Sequence, residues 1–120
     1  MDARAEIQTL TDVLRLSDSP QDWGIVNSDP SRVEEFIRFC ETAELTPSQQ
    51  WGMGELVFAS MNDALKAGII TPQLVEAFEG FLASGLHGLP WHLRYWSSLR
   101  SSPEDEFPIV ALLQRLAIHA

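Results

Sequence analysis

Five of the seven prolines in this 120-residue chain directly follow a residue whose side chain can cap a helix: Ser19-Pro20, Asp29-Pro30, Thr46-Pro47, Thr71-Pro72 and Ser102-Pro103. An oxygen at that position accepts from a backbone N–H that the first helical turn leaves orphaned. Proline loses nothing there, because its own N–H would have no partner. Each pair therefore marks a helix start and excludes a helix interior or central strand across it. Gly68 and Gly85 mark the opposite ends, where a left-handed C-terminal residue is cheapest for glycine.

The periodicity of apolar residues agrees with this punctuation. Residues 3–16 set Ala3, Ile7, Leu10, Val13 and Leu14 on one stripe, and residues 30–44 do the same with Val33, Phe36, Ile37 and Cys40. Residues 72–84 gather Leu74, Val75, Phe78, Phe81 and Leu82, a shorter helix starts at Pro90 and runs to about 99, and about 107–118 collects Ile109, Val110, Leu112, Leu113 and Leu116. The stretch 47–67 differs, because Glu55 is the one charge between Trp51 and Asn62. It reads as the central buried helix, and Gly52 and Gly54, each costly to helix propensity, imply that a neighbouring backbone packs closely there. Residues 17–29 form the longest irregular stretch, with Ile25 and Val26 expected to fold back onto the core. No alternating strand pattern or Asn-Gly hairpin turn occurs in the sequence. The expectation is an all-α fold, a single domain over 1–120 of five to six amphipathic helices around the helix at about 47–67.

The chain offers little to catalysis or metal binding. His87, His92, His119 and Cys40 show no HExxH or CxxC spacing, so neither a metal nor another cofactor is expected. His92 reads as a hydrogen-bonded histidine at the core edge, and Cys40, on an apolar stripe, as a small hydrophobe rather than a nucleophile. Ser84-Gly85 lacks the G-x-S-x-G elbow. The GxG of Gly52-Met53-Gly54 falls inside a helix and not between a strand and a helix, as a phosphate loop would. Trp91, Tyr95 and Leu99 share a face that reads as mostly core, with one ring left at a groove.

Charge says more. Asp and Glu number 17 against 8 Lys and Arg, a net charge of -9, and the first 60 residues hold 11 of those acids against 4 arginines. Such a chain repels nucleic-acid phosphates and anionic membranes and favours a basic protein partner. No apolar run reaches the roughly 18 residues of a membrane span, and a single cysteine makes no intrachain disulfide, which together read as a cytoplasmic protein. The acids gather around residues 18–44 and again at Glu104-Asp105-Glu106. Asp22, Asp29, Glu34, Glu35 and Glu41, with Trp23 as aromatic anchor, form the candidate partner-binding surface.

The run Glu55-Leu56-Val57-Phe58-Ala59-Ser60-Met61-Asn62-Asp63-Ala64-Leu65, preceded by Leu45-Thr46-Pro47, carries a likeness to a known group. With the later Tyr95-Trp96-Ser97-Ser98-Leu99 and Glu106-Phe107-Pro108, it resembles the small helical immunity proteins encoded beside bacterial polymorphic toxins. The resemblance spans about residues 26–116. It implies a noncatalytic protein that binds one cognate toxin domain, commonly a nuclease or another cytosol-acting enzyme, and silences it by covering its cleft. Two other readings stay open: a helical adaptor or regulatory subunit, and a ligand-binding or enzymatic domain with a pocket among Trp51, His87, His92 and Trp96.

Overall fold

The computed structural model describes residues 3–19, 21–99 and 107–118, with the side chains of 117 and 118 excepted. The fold is all-α. Seven α-helices occur among these residues: α1 (Ala3–Leu14), α2 (Trp23–Val26), α3 (Val33–Thr42), α4 (Pro47–Ala67), α5 (Pro72–Leu82), α6 (Leu89–Ser98) and α7 (Ile109–Ile118), with a 3-10 turn at Pro30–Arg32 leading into α3. The count exceeds five to six because one helical turn, α2, forms inside the stretch expected to be irregular. The radius of gyration is 13.7 Å, against about 13.6 Å for a compact chain of this length.

Three of the expected caps are in place. Asp29 accepts from the Ser31 N–H, Thr71 from the Leu74 N–H, and Thr46 forms a reciprocal capping box with Gln49. Ser19 instead donates its hydroxyl to the Gln21 carbonyl, and Ser102-Pro103 lies outside the described residues, as do Glu104-Asp105-Glu106 and His119. Gly68 closes α4 in the left-handed conformation at φ 71°.

Helix α4 is the hub, and α1, α2, α3, α6 and α7 all pack against it. Met53, Leu56, Val57, Phe58 and Met61 are fully buried along it. Helix α5 packs on α3 and reaches α4 through Phe78, whose ring meets that of Phe58 edge-on at 5.5 Å. Four polar residues of α4 bond its neighbours. Gln49 donates to the Glu6 carbonyl of α1, Glu55 accepts from the Gly24 N–H of α2, Ser60 from the Asp29 N–H, and Asn62 from the Ile109 N–H of α7. The last three bonds each satisfy a backbone N–H at a helix start or in a loop, where no helical partner exists.

Three packing expectations are corrected. Ile25 and Val26 do not fold inward: they are 45% and 56% exposed, and the 17–29 segment is anchored instead by Trp23, Gly24 and Asn27. Asn27 holds that segment closed, accepting from the Ser17 N–H and donating to the carbonyls of Ser17 and Trp23. The glycines of α4 admit side chains rather than a backbone. A Cβ on Gly54 would lie 2.6 Å from the His92 ring, and one on Gly52 would lie 2.9 Å from Ile7. Val13 faces solvent, so the buried stripe of α1 is Leu10 and Leu14, with Ile7 half-buried.

Candidate functional site

The groove where α1, α2, α4 and α6 meet is built around Glu55. On an otherwise apolar face a carboxylate needs a donor, and the Gly24 N–H provides one to Oε1 at 2.8 Å. Gly24 must be glycine there, since a Cβ would lie 2.7 Å from Glu55 and 2.8 Å from the Leu56 backbone nitrogen. This close approach brings α2 onto α4 and places Asp22 beside Glu55. Asp22 adopts the left-handed conformation at φ 53° and its side chain makes no cap hydrogen bond. Burial raises the pKa of Glu55, the Gly24 N–H lowers it, and the negative charge of Asp22 raises it further.

Asp22 and Glu55 line two adjoining hollows. One, of about 450 Å³, is walled by Ile7, Trp23, Ser48, Trp51 and Gly52. The other, of about 180 Å³, is walled by Ile25, Trp91, His92, Tyr95 and Trp96. Among the described residues no lysine or arginine lines either one. A third hollow of about 530 Å³, beyond Trp23, has both Arg4 and Asp18 in its lining and gathers no exposed ring.

Helix α6 sets the aromatic wall. Its buried face is Leu89, His92 and Trp96, while Trp91 and Tyr95 are 44% and 42% exposed, the reverse of the expected core face. The Trp91 and Tyr95 rings stack at 5.3 Å and 6° from parallel. Trp51, 36% exposed, lies 5.3 Å from Trp91 and 4.6 Å from His92. Gly88, at φ 88°, lets the Trp51 ring approach to within 2.6 Å of where a Cβ would stand. His92 is 1% exposed, and its Nε2 lies 2.8 Å from the Trp51 carbonyl. A carbonyl only accepts, so Nε2 carries the proton and Nδ1 a lone pair that has no partner among the described residues. Burial lowers the His92 pKa and keeps the ring neutral, with the Trp51 carbonyl opposing more weakly.

The six residues singled out in the sequence do not form one surface. Asp22 and Trp23 belong to the groove, but Trp23 is not an exposed anchor. It is 8% exposed and donates its indole N–H to the Thr11 hydroxyl, so it forms part of the groove's floor. Asp29 is engaged by Ser31, whose hydroxyl and N–H lower its pKa despite some burial. Glu34 and Glu35 line a separate hollow on α3 together with Arg38. Glu35 is paired to Arg32 at 2.7 Å, which lowers its pKa, and Glu41 is exposed on the same helix. Sequence reasoning missed Glu55 as a groove residue, and it left one ring of the Trp91 and Tyr95 face at a groove where both line it. The signal for Glu55 was its isolation: a lone charge in an apolar helix must find a polar partner.

Burial, then the Glu41 charge, pushes the Cys40 thiol up to about 12, so it stays protonated and unreactive. His87 is exposed, and its backbone N–H donates to Gln50. It lines neither hollow, so it does not join the pocket expected with Trp51, His92 and Trp96. Among the described residues no group of three or more His, Cys, Asp or Glu is placed to hold a metal ion. No helix among them is long and apolar enough to cross a membrane. Comparison of the chain with protein-family models, with curated proteins and with solved structures finds no match.

Proposed function

We propose that this chain is a noncatalytic binding protein of the immunity type, which neutralises a bacterial toxin by covering a basic cleft. One observation carries the reading: exposed rings of Trp51, Trp91 and Tyr95 stand beside the carboxylates of Asp22 and Glu55 in a groove that no described lysine or arginine lines. Exposed Trp and Tyr rings are enriched at interface centres, and carboxylates beside them pair with a cation that the partner brings. A net charge of -9 supplies the long-range attraction that speeds encounter with a cationic partner. Inhibition of this kind needs no reacting group, only a surface that excludes the toxin's substrate, and the proposed setting is the bacterial cytoplasm.

Co-expression with the protein encoded immediately upstream tests the reading. Copurification together with rescue of growth is the expected result. Growth arrest despite full expression of both chains would overturn it.

A further inference from the structure

We infer that the hollow between α2, α4 and α6 is the receptor for a single arginine side chain presented by the protein partner. The inference rests on the binding-protein reading above and specifies the chemistry of what enters. Asp22 and Glu55 face the hollow with no lysine or arginine among the described residues that line it, and Glu55 Oε1 is already taken by the Gly24 N–H. Two neighbouring carboxylates repel one another until a cation lies between them. Its volume of about 180 Å³ accommodates one side chain and falls below the roughly 300 Å³ at which sites for small organic ligands begin.

The walls favour guanidinium over ammonium. Trp91 and Tyr95 offer two nearly parallel exposed rings, on which a planar, weakly hydrated cation stacks while its fork of N–H donors reaches the carboxylates. Neutral His92 adds no positive charge to oppose it. The adjoining hollow of about 450 Å³, lined by Ile7 and Trp51, takes the residues that flank the arginine in the partner.

Titration of the intact protein with acetyl-Gly-Arg-Gly-amide, followed through the indole N–H resonances, tests this without any toxin. Saturable shifts of Trp91 and Trp96 are expected, with the lysine tripeptide binding about threefold more weakly and the citrulline tripeptide, equal in shape but uncharged, producing none. Asp22→Asn, which tolerates the left-handed backbone, and Glu55→Gln, which can still accept from Gly24, should each weaken binding about fivefold, and Tyr95→Ala likewise. Equal binding of citrulline and arginine, or unchanged affinity in both carboxamide variants, would overturn the inference. So would tighter binding of tetramethylammonium than of the arginine peptide, which would make the hollow a small-cation site. Growth rescue that survives Asp22→Asn and Glu55→Gln alongside a negative titration removes the arginine receptor and leaves the immunity reading standing. A positive titration with no rescue does the opposite.

Discussion

At the scale of single residues, glycine has opposite meanings in different helices of this protein. Gly54 and Gly24 are glycines because another side chain occupies the space of a Cβ, the His92 ring in one case and Glu55 in the other. Gly54→Ala and Gly24→Ala should therefore each destabilise by about 1–3 kcal/mol, since the rigid ring and the Leu56 backbone cannot yield. Gly80 stands in α5 with nothing within 4 Å of its would-be Cβ. Gly80→Ala should stabilise by roughly 0.5–1 kcal/mol through helix propensity alone. Urea midpoints of the three variants check both signs. Two titrating residues add a pH dependence. The folded-state pKa of His92 is depressed below 6.5, so its contribution is complete above that pH and is lost as pH falls through the folded value. Glu55 is raised above 4.5, so its contribution is complete below that pH and lost as pH rises through the folded value. Urea midpoints between about pH 4.5 and 8 should show Glu55→Gln gaining on the parent as pH rises. His92→Gln should lose the parent's decline on acidification below 6.5.

At the scale of elements, α4 organises the fold through its polar residues as much as its apolar ones. The apolar arc supplies burial without direction, whereas Gln49, Glu55, Ser60 and Asn62 each bond one particular neighbour and so fix where it docks. Asn62 is the one bonded to the start of α7. Asn62→Ala would leave the buried Ile109 N–H without that partner, and an overall loss of about 1–3 kcal/mol is expected. Native-state hydrogen exchange should show the amides of α7 losing protection before those of α4. The caps at Thr46 and Thr71 and the core stripes of α3, α4 and α5 were legible in the sequence, because capping and amphipathicity are local properties of a helix. The face of α6 was not. Its register is decided by His92, expected at the core edge and fully buried because Trp51 offers a carbonyl to its ring. That burial turns Trp91 and Tyr95 outward.

At the scale of the whole molecule, the charge acts in two ways that one experiment separates. The general field of a chain at -9 would set the encounter rate with the proposed basic partner and is screened beyond about 8 Å at physiological ionic strength. On the proposed reading the groove would set the lifetime of the complex once formed. Reversing Glu34, Glu35 and Glu41 to lysine should slow association and flatten its salt dependence while leaving dissociation near that of the parent, because these side chains do not line the groove. Asp22→Asn should chiefly quicken dissociation. Surface plasmon resonance against the proposed toxin partner at several salt concentrations reads both. An association rate indifferent to the triple reversal would remove α3 from any steering role.

The amino-acid sequence determined the helical class, the central place of residues 47–67, the acidity and the inertness of Cys40, since each follows from composition, spacing or local hydrogen bonding. Tertiary structure alone decided that Asp22 and Glu55 become neighbours, that Trp23 becomes floor rather than anchor, and that the rings of α6 face outward. The physical reason is common to all three. A helix's apolar stripe says that it will be buried but not against what, and the partners that settle the matter, Gly24, Thr11 and the Trp51 carbonyl, lie on other helices or in the turns between them.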